Sequence, residues 1–146
     1  MFSSSLCWDR ALYLLQKEVA ERLTAKQGDE AYGTLSVIAR LGGDISIVRL
    51  VPREVFWPKP EVESALVSCR FKPLEERMQV PWERVKKITQ AAFTGRRKRL
   101  ANALKNIIPA NTVHTFLEEN RLSVDSTRAE DCSPELFLSL AQYLLI

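Results

Sequence analysis

The sequence is poor in the residues that build redox and metal sites. It has three cysteines, Cys7, Cys69 and Cys132, and a single histidine, His114. Because the cysteines are odd in number, far apart and form no C-x-x-C pair, they predict reduced thiols in a cytoplasmic protein rather than a disulfide framework or a zinc site. His114 has no evident ligand set around it and is predicted to be a helix-surface residue, so we expect no metal.

Long apolar runs are also absent. No stretch approaches the ~20 apolar residues that a membrane-spanning helix needs, so we expect no membrane association. The first nine residues have neither a basic leader nor a long apolar segment, which argues against a secretory signal. With 46% hydrophobic and 27% charged residues, the composition is that of a soluble globular protein.

Glycine is scarce, with five residues in the chain. No G-x-G-x-x-G pattern occurs, and the one adjacent pair, Gly42-Gly43, precedes a predicted strand instead of following one. A phosphate cradle of the dinucleotide-binding type follows a strand and opens a helix. The sequence therefore predicts no cofactor site in this chain.

The first half alternates predicted strands and helices. The apolar run at residues 11–15 has the length of a fully buried parallel strand, although its periodicity does not exclude the first turn of a helix, and a helix is predicted over 17–26. A short helix over 35–41 is ended by the two glycines, and strands are predicted over 45–51 and 64–71. Three strands cannot cover both faces and both edges of a sheet, so these elements predict an incomplete α/β domain.

The second half is predicted to be helical. Helices are expected to begin near Pro81, Arg96 and Asn111, and Ser133-Pro134 is a clear start signal for a last one. Four helices with short loops predict a small bundle. The predicted organisation is an α/β part at residues 1–72, a linker at 73–80 and a helical domain at 81–146.

A proline-rich segment joins the two strands at 45–51 and 64–71. Pro58 and Pro60 exclude helix and central strand here, so we expect extended backbone. Phe56, Pro58, Pro60, Val62 and Ser64 would then share one apolar side, which suits a flat ring. The alternative is a rigid loop in which Phe56 and Trp57 cover the core.

Positive charge is concentrated in the helical half. Between Arg84 and Phe116 there are eight Lys or Arg residues and no Asp or Glu. A helix starting at Arg96 would bury Leu100 and Leu104 and turn these polar residues to solvent: Lys98, Arg99, Asn102 and Lys105. The four cations at 96–99 would also oppose the helix macrodipole, which favours an external anion such as nucleic-acid phosphate over a merely solvated surface.

Four stretches together carry a family resemblance. They are Phe56-Trp57-Pro58-Lys59-Pro60-Glu61-Val62-Glu63-Ser64-Ala65, Gln16-Lys17-Glu18-Val19-Ala20-Glu21-Arg22-Leu23, Tyr32-Gly33-Thr34-Leu35-Ser36-Val37, and Phe93-Thr94-Gly95-Arg96-Arg97-Lys98-Arg99-Leu100-Ala101-Asn102-Ala103-Leu104. In order and spacing they resemble ribosomal RNA adenine dimethyltransferases. The similarity runs from about Ala11 to the C-terminus, and the first ten residues fit poorly.

The resemblance implies the C-terminal half of a longer enzyme. The chain looks like the last strands of a Rossmann-like class I methyltransferase domain followed by the family's helical domain. The half that holds the S-adenosylmethionine loop, the acidic ribose-binding residue and the Asn-Leu-Pro-Tyr motif would pack on the strand at residues 11–15. We therefore expect S-adenosylmethionine to serve the full-length enzyme, and neither cofactor nor catalytic residue in this chain alone.

The resemblance also implies a substrate. The family dimethylates adenines near the 3′ end of small-subunit ribosomal RNA in a precursor of the 30S particle, and Phe56 with Pro58 would form a wall beside the target adenine. Arg96, Arg97, Lys98 and Arg99 would neutralise RNA phosphates, and Asn102 and Lys105 would add polar contacts. Two alternatives remain: a noncatalytic RNA-binding module for ribosome assembly, and a DNA-binding relative resembling mitochondrial transcription factors.

Overall fold

The first half of the chain is a small sheet with two helices against it. The computed structural model describes residues 10–71, 80–95 and 97–144. The elements of the first range are β1 (Arg10–Gln16), α1 (Lys17–Thr24), α2 (Thr34–Gly42), β2 (Gly43–Val51), a 3-10 helix (Arg53–Val55) and β3 (Ser64–Phe71). The strands predicted over 45–51 and 64–71 and the helix ended by the two glycines are confirmed.

β3 lies in the middle of the sheet. The strand order is β1-β3-β2, and both pairs are antiparallel. Along β3, Ala65, Val67 and Cys69 are buried and pack with Ala20 of α1. Buried and partly buried residues alternate along this strand, and α1 and its surroundings cover the buried face.

The prediction of a fully buried parallel strand over residues 11–15 is wrong. β1 is antiparallel to β3 and lies at the edge of the sheet. Leu12 is 65% exposed and Leu14 is 51% exposed, and they pair with Ser68 and Leu66 on the face away from α1. An apolar composition indicates that a strand is more stable when both of its faces are buried. The part of the chain that the structure describes does not cover this face of β1.

The second half is a four-helix bundle, as predicted. Its helices are α3 (Trp82–Ala92), α4 (Leu100–Leu104), α5 (Ala110–Glu119) and α6 (Pro134–Tyr143), with a 3-10 helix (Ala129–Asp131) before α6. Leu100, Leu104, Leu117, Phe137 and Leu140 are among its buried side chains. The apolar stripes of these helices meet in one core.

Helix starts were predicted with mixed success. α6 begins as expected, because the Ser133 hydroxyl accepts a hydrogen bond from the Leu136 main-chain N–H at 3.2 Å. α5 begins at Ala110 after Pro109, so Asn111 does not cap it. α4 begins at Leu100, not at Arg96, and the cations at 97–99 therefore precede the helix.

The two halves share a core. Tyr32 and Val37, from the loop before α2 and from α2 itself, are buried among the residues of the helical bundle. Tyr32 makes an edge contact with Phe93, with ring centroids 5.8 Å apart. Most of the predicted linker at 73–80 lies outside the described residues, and Val80, at its end, is buried in the same core. No described helix has the length and hydrophobicity to cross a membrane.

Candidate nucleic-acid interface

The proline-rich segment forms a bent loop between β2 and β3. The backbone bends at residues 56–58 and again at 61–62, so the expectation of one extended run is wrong. Phe56 is half-buried and Pro58 is exposed. Trp57, the residue between them, is 96% exposed, and therefore it does not cover the core as the alternative interpretation expected.

Polar contacts hold this loop in shape. The Arg53 guanidinium donates a hydrogen bond to the Glu61 main-chain carbonyl over 3.3 Å. The Lys59 ammonium lies 3.0 Å from the Glu54 carboxylate, and the hydrogen bond from Lys59 is the main cause that lowers the pKa of Glu54. At the end of the loop, Lys17 at the start of α1 pairs with Glu63 over 3.0 Å, a hydrogen bond that raises the pKa of Lys17.

The cationic run occupies a turn before α4. Arg97, Lys98 and Arg99 are exposed, while Arg96 lies outside the described residues. The turn is fixed by main-chain hydrogen bonds, from the Lys98 N–H to the Gly95 carbonyl and from the Leu100 N–H to the Thr127 carbonyl, each 2.9 Å long. Because α4 begins only at Leu100, the cations lie in the turn and not on the helix. The hydrogen bond from Leu100 to Thr127 links this turn to a distant loop.

α4 itself orients the remaining predicted contacts. Leu100 and Leu104 are buried in the bundle, and Asn102 and Lys105 are exposed. This confirms the predicted exposure of Asn102 and Lys105, although α4 has only five residues. A helix this short has a weak macrodipole, so a conflict between charge and dipole no longer argues for an anion.

Acidic groups lie close to the cationic run in space, which the sequence did not reveal. The Arg99 guanidinium lies 3.0 Å from the Asp125 carboxylate, and Arg128 lies 3.7 Å from Glu130. A shallow depression of about 410 Å³ collects these groups beside Arg97. Arg97 and Lys98 are thus the better candidates for phosphate, since Arg99 already has a partner.

The structure keeps the two predicted sites on separate elements. Phe56 and Pro58 belong to the loop between β2 and β3, whereas the cations belong to the helical half. The ion pairs and side-chain hydrogen bonds of the described residues do not join them.

Gly43 has a role in the sheet, and the described residues do not form a metal site. A Cβ at Gly43 would overlap the main-chain carbonyl of Arg70, so this glycine serves sheet packing and not a ligand cradle. Within the described ranges, no group of three or more His, Cys, Asp or Glu side chains is arranged to hold a metal ion.

Comparison with solved structures gives the class of fold. A dimethyladenosine transferase from Plasmodium falciparum aligns with 94% of this chain at a TM-score of 0.74 and 24% identity, over 57% of its own length. A 23S rRNA methyltransferase, ErmE, aligns with 98% of this chain at a TM-score of 0.62 and 23% identity, also over 57% of its length. The chain therefore has a methyltransferase fold.

Comparison of sequences gives the family. The model of the ribosomal RNA adenine dimethylase family matches residues 2–145, and the chain belongs to that family, as its four motifs predicted. The match begins at residue 2, whereas the motifs carried the resemblance from about Ala11.

Individual relatives agree with the family model. Ribosomal RNA small subunit methyltransferase A from Chlamydia felis is 38% identical over 140 residues, and the protein of that name from a Nostoc species is 34% identical over 137 residues. Each alignment covers 94% of this chain but 48% and 50% of the relative. The chain spans about half the length of the curated relatives it matches.

Proposed function

We propose that this chain is the C-terminal half of a ribosomal RNA adenine N6,N6-dimethyltransferase, and that on its own it binds RNA without catalysing methylation. The observation that carries this proposal is coverage, because the chain matches about half the length of each relative. In this proposal residues 1–72 are the last strands of a Rossmann-like domain and residues 81–146 are the RNA-binding helical domain.

The complete enzyme would act on adenines near the 3′ end of small-subunit ribosomal RNA, in the cytoplasm, on a precursor of the 30S particle. S-adenosylmethionine supplies the methyl group, and the half that is not in this chain would bind it. The exocyclic amine of adenine is a poor nucleophile, so the contribution of this chain is positioning rather than acid or base catalysis. Phe56 and Pro58 would form the wall against the unpaired adenine.

RNA binding is proposed for the turn before α4. Arg97 and Lys98 are exposed on a fixed turn, and Asn102 and Lys105 are exposed on the helix that follows. Arg96 and Arg99 complete the cationic run in sequence, with Arg99 already paired to Asp125. Phosphate contacts from these residues would position the RNA without reading its sequence.

The test of RNA binding is a salt titration of the 146-residue chain against single-stranded RNA, followed by fluorescence anisotropy. We expect Lys98→Gln to weaken binding and to reduce the slope of log K against log salt by about 0.7 for each phosphate that the chain no longer neutralises. Lys26→Gln, at an exposed cation after α1, is the matched control and should change neither. An unchanged slope in the Lys98 variant would assign the cationic run to plain surface charge.

Calorimetry with S-adenosylmethionine tests the catalytic part of the proposal. The isolated chain should show no binding, and clear binding would overturn the claim that the donor site lies elsewhere. Competition with DNA of the same sequence separates the remaining alternative, because equal affinity for DNA would favour a DNA-binding relative.

The missing half is proposed to pack on β1. Leu12, Tyr13 and Leu14 are 47% to 65% exposed on an edge strand, an arrangement that invites pairing with another chain. Light scattering should therefore show concentration-dependent self-association of the isolated chain, and Leu12→Lys should reduce it. Val55→Lys is the matched control, because Val55 is also 65% exposed but lies in the 3-10 helix. A monodisperse unsubstituted monomer would contradict this proposal.

A further inference from the structure

Trp57 is exposed to solvent and does not belong to the hydrophobic clusters of the described residues. Its side chain is 96% exposed, more than that of any other large apolar residue in the described ranges. An indole carries a large apolar surface that proteins normally bury or use in binding. The exposure of Trp57 therefore calls for a ligand outside the chain.

The backbone that carries this ring is held by contacts on both sides of it. On one side, the Val55 N–H bonds to the Pro52 carbonyl at 3.3 Å and the Phe56 N–H bonds to the Arg53 carbonyl at 3.4 Å, which fixes the 3-10 turn. On the other side, the Lys59–Glu54 ion pair and the hydrogen bond from Arg53 to Glu61 close the loop. A platform that is ordered before binding loses little entropy when a ligand arrives.

The charged surroundings of Trp57 distinguish its ligand from a protein partner. Arg53, Glu54 and Lys59, all within four residues of Trp57 in sequence, are exposed. The centre of a protein interface is depleted of such charges, whereas single-stranded nucleic acid is recognised by an aromatic ring set among polar and charged groups. The exposed surface of β1 differs from that of this loop, because Leu12 and Leu14 form an apolar strip without charged residues between them.

We infer that Trp57 stacks on an unpaired nucleobase next to the target adenine. The inference rests on the proposed function, in which the two neighbours of Trp57 in sequence, Phe56 and Pro58, hold that adenine. Trp57 directly follows Phe56 in sequence, so we expect a strand that delivers one base to Phe56 to bring a flanking base to the exposed ring. Stacking is tolerant of base identity, so Trp57 would hold the strand without selecting its sequence.

The test compares Trp57→Ala, Trp57→Phe and the unsubstituted chain in binding a single-stranded RNA with a central adenine. We expect the alanine variant to bind about 5- to 150-fold more weakly and the phenylalanine variant to retain most of the affinity. The salt slope should stay unchanged in both, since stacking releases no counterions. Because Trp57 is almost fully exposed, thermal unfolding of the variants should match that of the unsubstituted chain.

A second RNA locates the contact. In this strand the nucleotides that flank the adenine lack their bases but keep their phosphates. The unsubstituted chain should bind it as weakly as Trp57→Ala does, and the alanine substitution should cause no further loss. An equal loss on both strands would show that Trp57 does not contact a flanking base and would overturn the inference.

The remaining outcomes separate this inference from the proposed function. If Lys98→Gln weakens RNA binding but Trp57→Ala does not, the stacking role is wrong while RNA binding by the chain stands. The exposed ring would then belong to an interface with the other half of the enzyme. If the unsubstituted chain does not bind RNA, both the stacking role and the proposed RNA-binding function are wrong.

Discussion

The Tyr32 hydroxyl donates a hydrogen bond to the main-chain carbonyl of Cys132, 2.8 Å away, across one hundred residues of sequence. Tyr32 stands before α2, and Cys132 stands before α6. The ring is buried, and burial is the main reason that the pKa of Tyr32 is raised well above its usual range. This contact fastens the sheet half of the chain to the helical half.

Replacing Tyr32 by Phe should therefore destabilise the whole chain and not one half of it. The substitution keeps the ring in the core but leaves the buried Cys132 carbonyl without this donor, which costs about 1–3 kcal/mol. Urea unfolding should show one transition at a lower midpoint. Tyr13→Phe is the matched control, because Tyr13 is 47% exposed on the edge strand and removal of its hydroxyl should leave the midpoint unchanged. Two separate transitions in the Tyr32 variant would show that the halves unfold independently even though they share a core.

Cys132 makes stability depend on alkaline pH. Burial raises the pKa of its thiol from 9.0 to about 12. Because the folded-state value lies above the unfolded one, its contribution is complete below pH 9 and is lost as the pH rises towards 12. The loss amounts to about 1 kcal/mol between pH 9 and pH 10.

The measurement is the free energy of unfolding at each pH, with Cys132→Ala as the reference. Lysines and tyrosines titrate in the same window, but they are common to both proteins and cancel in the difference, except for Tyr32, whose pKa the Cys132 thiolate also raises. The unsubstituted chain should lose stability faster than the variant above pH 9. Parallel curves would show that the Cys132 thiol ionises as readily in the folded chain as in the unfolded one.

Local pattern predicted the elements whose stability comes from their own residues. β3 has the bounds predicted for it, because Ala65, Val67 and Cys69 alternate with more polar residues. The start of α6 was predicted by Ser133 and Pro134, whose effect is confined to one turn. In each case the signal and the structure lie within a few residues of each other.

The predictions that failed concern features that depend on residues far away in the sequence. The start of α4 at Leu100 follows a hydrogen bond to Thr127, and the partner of Arg99 is Asp125, so sequence spacing shows neither. The exposure of β1 depends on what covers the sheet and not on the composition of the strand. Trp57 was considered as core cover because aromatic residues usually are buried, and its exposure follows from a loop closed by Arg53 and Lys59.

Two adjacent glycines should respond oppositely to alanine. At Gly43 a Cβ would overlap the main-chain carbonyl of Arg70 across the β2–β3 pair, so Gly43→Ala must push the strands apart. At Gly42, the last residue of α2, a Cβ would meet nothing within contact distance, and alanine is the better helix former by about 1 kcal/mol. Thermal unfolding should place the Gly43 variant below the unsubstituted chain and the Gly42 variant at or above it. Equal melting temperatures for the two variants would contradict this prediction, because they would mean that moving β2 away from β3 at Gly43 costs no free energy.

We expect Asp125 to oppose RNA binding by the turn before α4 through its ion pair with Arg99. Its carboxylate lies 3.0 Å from the Arg99 guanidinium. Arg97 and Lys98, which precede Arg99 in sequence, are exposed. Asp125→Asn removes a negative charge from the cationic surface and releases Arg99, so we expect tighter RNA binding and a steeper salt slope. Arg99→Gln alone should flatten the slope less than Lys98→Gln, since the arginine must first leave Asp125.

The control for Asp125→Asn is Glu21→Gln, which removes an exposed acid from α1 with the same change in net charge. Its RNA affinity should stay near that of the unsubstituted chain if the effect is local to the turn before α4. Equal gains in both variants would trace the effect to overall charge. A loss of affinity in Asp125→Asn would instead show that the ion pair holds the turn in its binding shape, and Arg99 would then be a positioning residue.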